Sequence, residues 1–424
     1  MLTLSPRSGD ALRVMWENSQ GSLRSLRQGN RERLLGLLRG GGAMHRAELA
    51  RRAGLSRSTV STIVASLLEE GLVIEAADGD THGQQSGRPG ELLTLNPAGG
   101  GVLGLDFSYR EVRVAVADVA HRVLADAVAD LAPDQSWVES LRIGEELVDR
   151  VLAESGFDRS QVLGAGLGVP GPIDQTSGEV GVSSNSLGWV GVHAADELSN
   201  RLRAPVAMDN TAHLGSLAEA VWGAGQGCRN SVYLKLSSGV GGGFIFDGRV
   251  FRGSIGAAGE IGHLMVDEGG PACRCGGRGC LEVYASVPAV LETLRPLMGE
   301  DVTLDTVLTA SAEGNRACRR VLGDAGAVVG QAMASVCNVL NPERIIVGGG
   351  LAPAGDALFE PMRTALDRHA LKIVADNVQI LPARLGSMAG ALGGIALVLR
   401  EADRLVSADG EEPSIPSRAR VAHG

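Results

Sequence analysis

Residues 259–263 read GEIGH, and residues 273–282 read CRCGGRGCLE. Three of the six cysteines in the chain fall within this second segment, among three glycines. A cluster so closely spaced and so rich in glycine is not typical of a packed core. Three thiolates and one imidazole are a typical set of tetrahedral zinc ligands. We therefore predict a zinc site formed by His263, Cys273, Cys275 and Cys280.

The alternative is that these cysteines are together by chance, with one pair oxidised. Metal-like spacing in a chain without a secretory signal favours zinc over a disulfide. The spacing alone does not distinguish a catalytic from a structural site. Because four protein ligands leave no open coordination position, we predict a structural Zn²⁺ ion.

The composition is typical of a soluble globular protein, with 44% hydrophobic and 21% charged residues, and the length of 424 residues suggests two to three domains. The net charge of −10 argues against a chain that is basic throughout. Residues 1–98 hold 12 Arg and Lys against 10 Asp and Glu, and the rest holds 27 against 39. This distribution fits a nucleic-acid-binding module joined to an acidic sensor.

The cellular location follows from what the sequence lacks. It has no signal-peptide pattern and no apolar run as long as a membrane span. We therefore expect a cytoplasmic protein that does not associate with a membrane, with its cysteines reduced.

The first hundred residues predict a winged helix-turn-helix. Residues 46–53 form a helix closed by Gly54, and Ser56 caps a further helix. Strands follow at residues 72–74 and 92–95, with a polar loop between them. The apolar residues of the capped helix recur at helical spacing; they are Val60, Ile63, Val64, Leu67 and Leu68.

The opposite face of the capped helix carries short hydrogen-bond donors and one Arg, which suit base edges and phosphates in a major groove. An Arg at a wing tip stiffened by Pro and Gly suits the minor groove. The predicted DNA-binding residues are Arg57, Ser58, Thr59, Ser61, Thr62 and Arg88. The alternatives are a solvated helical face or a helix-turn-helix that contacts protein. We expect a homodimer or higher homo-oligomer on an inverted-repeat operator in double-stranded DNA.

The remainder alternates strands and helices. A strand hairpin at residues 102–116 is echoed at residues 232–246, where a glycine-rich turn joins the two strands. Two similar hairpins about 130 residues apart suggest two related lobes around a cleft.

The segments quoted first, with IGAA at residues 255–258, resemble the signature of the ROK family of repressors, open reading frames and sugar kinases. The resemblance extends over about residues 30 to 400. It implies an α/β fold in which a winged helix-turn-helix precedes a two-lobed actin-like (ribonuclease H-like, sugar-kinase) body. It also implies zinc on the four residues named above. A small sugar or sugar derivative would be held by Asn210, Glu260, His263 and Glu282.

The domain boundaries follow from the same reading. We predict a flexible leader at 1–28, the winged helix at 29–97 and the first lobe at 98–212 with about 386–404. The second lobe with the zinc site is predicted at 213–385, and a disordered tail at 405–424.

The segments that would bind phosphate and carry the catalytic base differ from those of the kinases of the family. Their first phosphate loop reads D-x-G-G-T-K, whereas this chain has Asp106, Ser108, Tyr109 and Glu111 there, without the glycine pair. Their catalytic stretch reads E-N-D-A-N, whereas residues 209–213 read DNTAH. Thr211 replaces the catalytic Asp, and a hydroxyl is not a general base near neutral pH. We therefore predict that the chain is not an enzyme.

The favoured function is a sugar-responsive transcriptional regulator, most plausibly a repressor, with a degenerate sugar-kinase domain as its sensor. One alternative is an ATP-dependent sugar kinase with an appended DNA-binding module. Another is a regulator whose body docks a protein of a transport system in place of a sugar. The sequence leaves the identity of the sugar and of the operator open.

Overall fold

The computed structural model describes residues 30–31, 33–38, 42–76, 92–132, 135–174, 176–181 and 188–405. The predicted leader, the wing arginine Arg88 and the tail from residue 406 lie outside these residues. The chain divides into two compact units, one spanning Met1–Asn96 with Leu399–Gly424 and the other Pro97–Val398. The predicted boundaries differ slightly, since they keep the last helix with the body to about residue 404, and they stay a prediction.

The first unit is a winged helix. Its sheet has the strand order β1-β3-β2, with β3 antiparallel to both neighbours. β1 has only two residues, too few for any sequence period to reveal it. The elements are α1 (helical residues 30–31 and 33–38), β1 (Met44–His45), α2 (Arg46–Ala53), α3 (Arg57–Glu69), β2 (Val73–Ala76) and β3 (Leu92–Leu95).

Local chemistry sets the turn between α2 and α3. Gly54 ends α2 in the left-handed conformation, with φ 66°, which a glycine adopts at little cost. The Ser56 hydroxyl caps α3 by accepting a hydrogen bond from the Thr59 amide. The apolar stripe of α3 faces inward, as predicted, with Val60, Val64 and Leu67 buried.

The second unit contains two five-stranded sheets. The first has the order β6-β5-β4-β7-β8, in which β4, β5 and β6 are antiparallel and β7 and β8 run parallel to β4. Its strands are β4 (Gly101–Phe107), β5 (Glu111–Asp118), β6 (Val123–Asp130), β7 (Val162–Val169) and β8 (Val206–Asn210).

The second sheet repeats this topology. Its order is β11-β10-β9-β12-β13, with the same antiparallel and parallel pairings. Counted within each lobe, both sheets therefore have the strand order 3-2-1-4-5, which confirms the predicted pair of related lobes. The strands are β9 (Ser231–Leu236), β10 (Val240–Phe246), β11 (Arg249–Phe251), β12 (Arg344–Gly348) and β13 (Gln379–Pro382).

Helices cover both sheets. α4 packs on β5 and β6, α5 on β8, and α6 on β9 and β10, while α10 and α11 pack against each other over the second core. The helices are α4 (Trp137–Ser155), α5 (Ala194–Leu202), α6 (Thr211–Trp222), α7 (Glu282–Ala285), α8 (Val287–Met298), α9 (Leu304–Ala312), α10 (Arg316–Leu340), α11 (Asp356–His369), α12 (Lys372–Ala375) and α13 (Ala389–Leu405). Among the described residues, no helix is long and apolar enough to cross a membrane.

Glycines bring α13 directly onto the first sheet. A Cβ added to Gly104 on β4 would lie 1.9 Å from the carbonyl oxygen of Ala391, and one on Gly166 of β7 would lie 2.1 Å from that of Gly394. No side chain fits at such separations, so these two strand positions require glycine for close helix–sheet packing. The interior strands of this sheet are thereby covered on a second face.

Candidate functional site

A cleft in the second unit collects segments from both sheets. The β4–β5 turn, the end of β7 and the start of α6 meet the β9–β10 hairpin, the 260–263 loop and the start of α7. All four predicted sugar-binding residues line this one cleft, together with part of the predicted first phosphate loop and the glycine-rich turn of the β9–β10 hairpin. The lining residues are Ser108, Tyr109, Pro170, Gly171, Asn210, Thr211, Ala212, Lys235, Ser237, Ser238, Gly239, Val240, Gly241, Glu260, His263 and Glu282.

The four predicted metal ligands lie together beside the cleft. One donor atom from each of His263, Cys273, Cys275 and Cys280 lies within 4.8 Å of the other three. The Cys275 and Cys280 sulfurs are 3.7 Å apart, as are the Cys273 sulfur and His263 Nδ1. Ligands at about 2.0–2.3 Å from a tetrahedral zinc ion are separated by roughly 3.6–3.8 Å. The donor set therefore fits Zn²⁺.

The backbone of the 273–282 loop explains how the thiols converge. Gly276 and Gly279 have φ 91° and 58°, and a Cβ on Gly279 would lie 1.6 Å from the Asp267 carbonyl oxygen. The hydrogen bond of the Gly277 amide lowers the pKa of Cys275, whereas burial raises that of Cys280 to about 12. A divalent cation would favour the thiolate form of both groups.

The two ring nitrogens of His263 face different groups. Nδ1 faces the cysteines, and Nε2 lies 3.8 Å from Glu260 Oε2 on the cleft side. A metal bound through Nδ1 would therefore fix the ring that lines the cleft. When bound, zinc with four protein ligands supplies structural cross-linking to this loop.

The two predicted glutamates differ in their surroundings. Glu282 is the first residue of α7, is buried, and accepts a hydrogen bond of 3.1 Å from the Val240 amide. Burial raises the pKa of Glu260, and the neighbouring rings of His263 and His213 partly offset that rise. Glu260 is thus a hydrogen-bond acceptor at the cleft wall, close to two histidines.

Asn210 caps α6. Its side-chain oxygen accepts from the Ala212 amide, and its side-chain nitrogen donates to the Gly171 carbonyl, both at 2.7 Å. Asn210 therefore also has a structural role as a helix cap. One amide hydrogen and one oxygen lone pair remain for a ligand hydroxyl.

In the predicted first phosphate loop, Ser108 binds the backbone of its own turn. The Ser108 hydroxyl accepts hydrogen bonds from the amides of Arg110 and Glu111, at 3.4 and 3.2 Å. These are turn amides of the kind that hold a phosphate. Thr211, at the position of the catalytic Asp, begins α6 and is buried.

A cation from the second sheet also reaches the first phosphate loop. Lys235 Nζ on β9 lies 3.9 Å from the carboxylate of Asp106 at the end of β4. Burial raises the pKa of Asp106, and Lys235 partly offsets that rise. A lysine of the second sheet thus lies beside the predicted first phosphate loop.

The sequence analysis did not predict a buried hydrogen-bond network around Asp209. The Asp209 carboxylate accepts hydrogen bonds from Arg252 at 2.7 Å and from the Asn210 amide at 2.8 Å, and lies 2.8 Å from His213 Nδ1. Asp209 and His213 are only four residues apart, but Asp209 lies on β8 and His213 on α6, so helical spacing does not predict their contact. Arg252, 43 residues from Asp209, gives no local signal.

The predicted DNA-binding face is only partly as expected. Arg57, Ser58, Ser61 and Thr62 are exposed on α3, whereas Thr59 is half-buried. The expectation that Thr59 is exposed was wrong, because its hydroxyl lies 2.8 Å from that of Ser56 within the helix cap. Arg57 forms no ion pair with another described residue.

Comparisons with known proteins agree with this architecture. The model of the ROK family matches residues 102–401, and that of the MarR family matches residues 33–82. A xylose repressor of Caldicellulosiruptor bescii is 28% identical over 84% of this chain and 92% of its own length. A glucokinase of Halalkalibacterium halodurans is 34% identical over 60% of this chain and 82% of its own length.

A solved structure extends the comparison to nearly the whole chain. It is a ROK family transcriptional regulator described as a homologue of the Escherichia coli MLC protein, with a TM-score of 0.76, 24% identity, and coverage of 89% of this chain and 96% of that chain. This likeness shows the fold. Fold and site together define a two-lobed, sugar-kinase-like body that carries a winged helix. The chain belongs to the ROK family.

Proposed function

We propose that the protein is a sugar-responsive, DNA-binding transcriptional repressor whose kinase-like body acts as a sensor. The observation that carries the proposal is the contrast within one cleft. Its predicted sugar side presents Glu260, His263 and Glu282, while on its predicted phosphate side the Glu111 amide is already bound by Ser108. The likeness to a xylose repressor over 84% of the chain supports the same function.

The kinase alternative requires groups that are absent or occupied here. A general base would have to take the proton of a sugar hydroxyl, and Thr211 cannot do so near neutral pH. Asp209 does not substitute for it, because that carboxylate is buried against Arg252 and His213. A glucokinase is among the relatives. We propose that this chain, in contrast, does not transfer phosphoryl groups.

The proposed sugar contacts are Asn210, Glu260, His263 and Glu282. Carboxylates and an amide accept and donate the paired hydrogen bonds that hydroxyl-rich ligands offer. The proposed zinc ligands His263, Cys273, Cys275 and Cys280 would hold one of these contacts in place. The sugar is thereby linked to a structural metal through a single imidazole ring.

On the DNA side, we propose that α3 enters a major groove, with Arg57, Ser58, Ser61 and Thr62 at its surface and Thr59 supporting the cap. The wing residue Arg88 is proposed to contact the minor groove. We further propose a cytoplasmic homodimer or higher homo-oligomer on an inverted-repeat operator. The predicted domain boundaries belong to the same proposal.

The test combines DNA binding and catalysis on the same preparation. DNA sites are selected from a random pool, and their binding is then measured with a panel of hexoses, pentoses and amino sugars. We expect at least one sugar to weaken binding, and Glu260→Ala to abolish that response while DNA affinity is retained. Glu268→Ala, an exposed position in the same loop, is the matched control.

ATP consumption is measured with the same sugars by a coupled assay. We expect no sugar-dependent turnover in the wild type. Thr211→Asp alone should not create turnover, because the amides of Arg110 and Glu111 remain bound to Ser108. Sugar-dependent turnover by the wild-type chain would establish the kinase alternative instead.

A further inference from the structure

The ring of His213, on the first turn of α6, lies between two acceptors. Nδ1 is 2.8 Å from Asp209 Oδ1, and Nε2 is 2.6 Å from the carbonyl oxygen of Ala258. A carboxylate and a carbonyl oxygen can only accept, so both ring nitrogens must donate. The imidazolium is the only form of His213 that satisfies both contacts.

The balance of surrounding charges agrees with this geometry. His213 and Asp209 are each 1% exposed. Burial alone would lower the pKa of His213, but the hydrogen bond and charge of Asp209 outweigh it and hold the pKa above its usual value. The charged and titratable groups that face His213 are Asp209 from β8, Arg252 from the segment after β11, and Glu260 from the neighbouring loop.

The network connects two parts of the sugar side that come from different sheets. Asp209 directly precedes Asn210 at the end of β8. Ala258 stands two residues before Glu260, and its amide donates to the Arg252 carbonyl at 3.1 Å. Arg252 in turn binds Asp209 through two nitrogens at 2.7 Å. The loop that carries Glu260 is thus held to the strand that carries Asn210 through one carboxylate and one imidazolium.

We propose that His213 is a positioning residue of the sugar site, which as an imidazolium holds the Glu260 loop in its binding geometry and on deprotonation releases it. This proposal rests on the proposed sugar-binding function of the cleft. A neutral ring can donate to only one of its two acceptors. A hydrogen bond to the charged carboxylate of Asp209 is stronger than one to the neutral carbonyl of Ala258, so the remaining proton stays on Nδ1. The contact that is lost is therefore the one to Ala258, and with it the anchor of the loop. Sugar affinity therefore falls as the pH rises through the pKa of His213 in the folded protein.

The first test needs no ligand. Hydrogen exchange of the peptide that covers residues 253–262 is measured in the zinc-loaded protein across pH 6 to 9, with correction for the intrinsic pH dependence of exchange. We expect about tenfold faster exchange in His213→Asn at neutral pH, and a rise toward the same rate in the wild type at alkaline pH. His193→Asn, an exposed histidine in the same unit, is the control. Equal protection in wild type and His213→Asn would overturn the proposal.

The ring itself provides a second readout that does not depend on a variant. Nitrogen-15 shifts of the histidine rings in the wild type report the protonation state of each imidazole. We expect His213 to remain an imidazolium at pH 7.5. A neutral ring at that pH, with the fold intact, would also overturn the proposal.

The third test uses D-xylose and D-glucose as probes in calorimetric titrations over the same pH range. We expect affinity to fall on the alkaline side by up to tenfold per pH unit, and His213→Asn to bind weakly with a flat profile. Identical profiles in wild type and variant would contradict the role of His213. If no sugar of the wider panel binds, the proposed function is wrong. The hydrogen-exchange and nitrogen-15 measurements then still test whether His213 is an imidazolium that holds the Glu260 loop.

Discussion

At the scale of single residues, the side chains around the cleft show which chemistry has been kept. His263 presents one nitrogen to a thiol cluster and the other to Glu260. Ser108 uses its hydroxyl to close the turn in which the kinases of the family carry glycines. Single substitutions at Cys275, Glu260 and Ser108 therefore test the proposed metal, sugar and phosphate sides separately, whereas one at His263 would affect both metal and sugar.

The metal prediction concerns Cys275. The purified protein should contain about one zinc ion per chain, and Cys275→Ala should lose it because three ligands leave the tetrahedral set incomplete. Elemental analysis measures the content, and limited proteolysis of the 259–285 region measures the accompanying loss of order. Cys228→Ala, which removes a half-buried thiol outside the cluster, should retain zinc. Full zinc occupancy in Cys275→Ala would contradict the assignment.

At the scale of elements, the positions of helices α3 and α13 are determined by different kinds of interaction. α3 is set by its cap and its buried stripe, both readable from sequence, and its outer face carries the exposed side chains of Arg57, Ser58, Ser61 and Thr62. α13 is set by glycines on β4 and β7 that allow backbone to meet backbone. The first depends on a local pattern and the second on a tertiary contact.

For α3, we expect Arg57→Ala to weaken DNA binding and to reduce the slope of log affinity against log salt by about one unit, as for the loss of one phosphate contact. If Arg57 instead reads a base, the loss will be confined to one position of the site and amount to about 1–3 kcal/mol. Fluorescence anisotropy with selected DNA at several salt concentrations distinguishes the two. Arg142→Ala, an exposed arginine on α4, should leave both quantities unchanged.

For α13, we expect Gly166→Ala to destabilise the body by at least about 1–3 kcal/mol, because the new methyl group overlaps the Gly394 carbonyl and forces the helix away. Chemical denaturation followed by circular dichroism measures the change. Gly188→Ala is the control, since its nearest neighbour would lie at an ordinary 3.6 Å. If Gly166→Ala had the same unfolding free energy as the wild type, α13 could move away from the sheet without loss of stability.

At the scale of the whole molecule, the proposed function requires that ligand and DNA influence each other. Lobes of this kind close around ligands by hinge motion. The coupling free energy must be the same in both directions and is typically about 1–3 kcal/mol. We therefore expect a sugar that weakens DNA binding tenfold to be bound tenfold more weakly by the DNA complex. Titrations of sugar into free and DNA-bound protein measure the second factor, and unequal factors would indicate binding at more than one site.

Much of this architecture was readable from sequence because its signals are local. The cysteine spacing predicted the cluster that the structure brings together, and the Ser56 cap with its apolar stripe predicted α3. The contacts of Asp209, His213 and Arg252 were not readable, because they join segments that only the folded sheets bring together. The partial burial of Thr59 was also missed; its hydroxyl lies 2.8 Å from that of Ser56 in the helix cap.

The closed turn at Ser108 has a consequence for what the cell can signal through this protein. A sensor that bound both sugar and ATP would respond to the energy charge as well as to the carbon source. Because Ser108 binds the turn amides of Arg110 and Glu111, we do not expect adenine nucleotides to compete for the cleft. The protein would then respond to the concentration of the sugar alone, and gene expression would follow sugar supply even while ATP levels fluctuate.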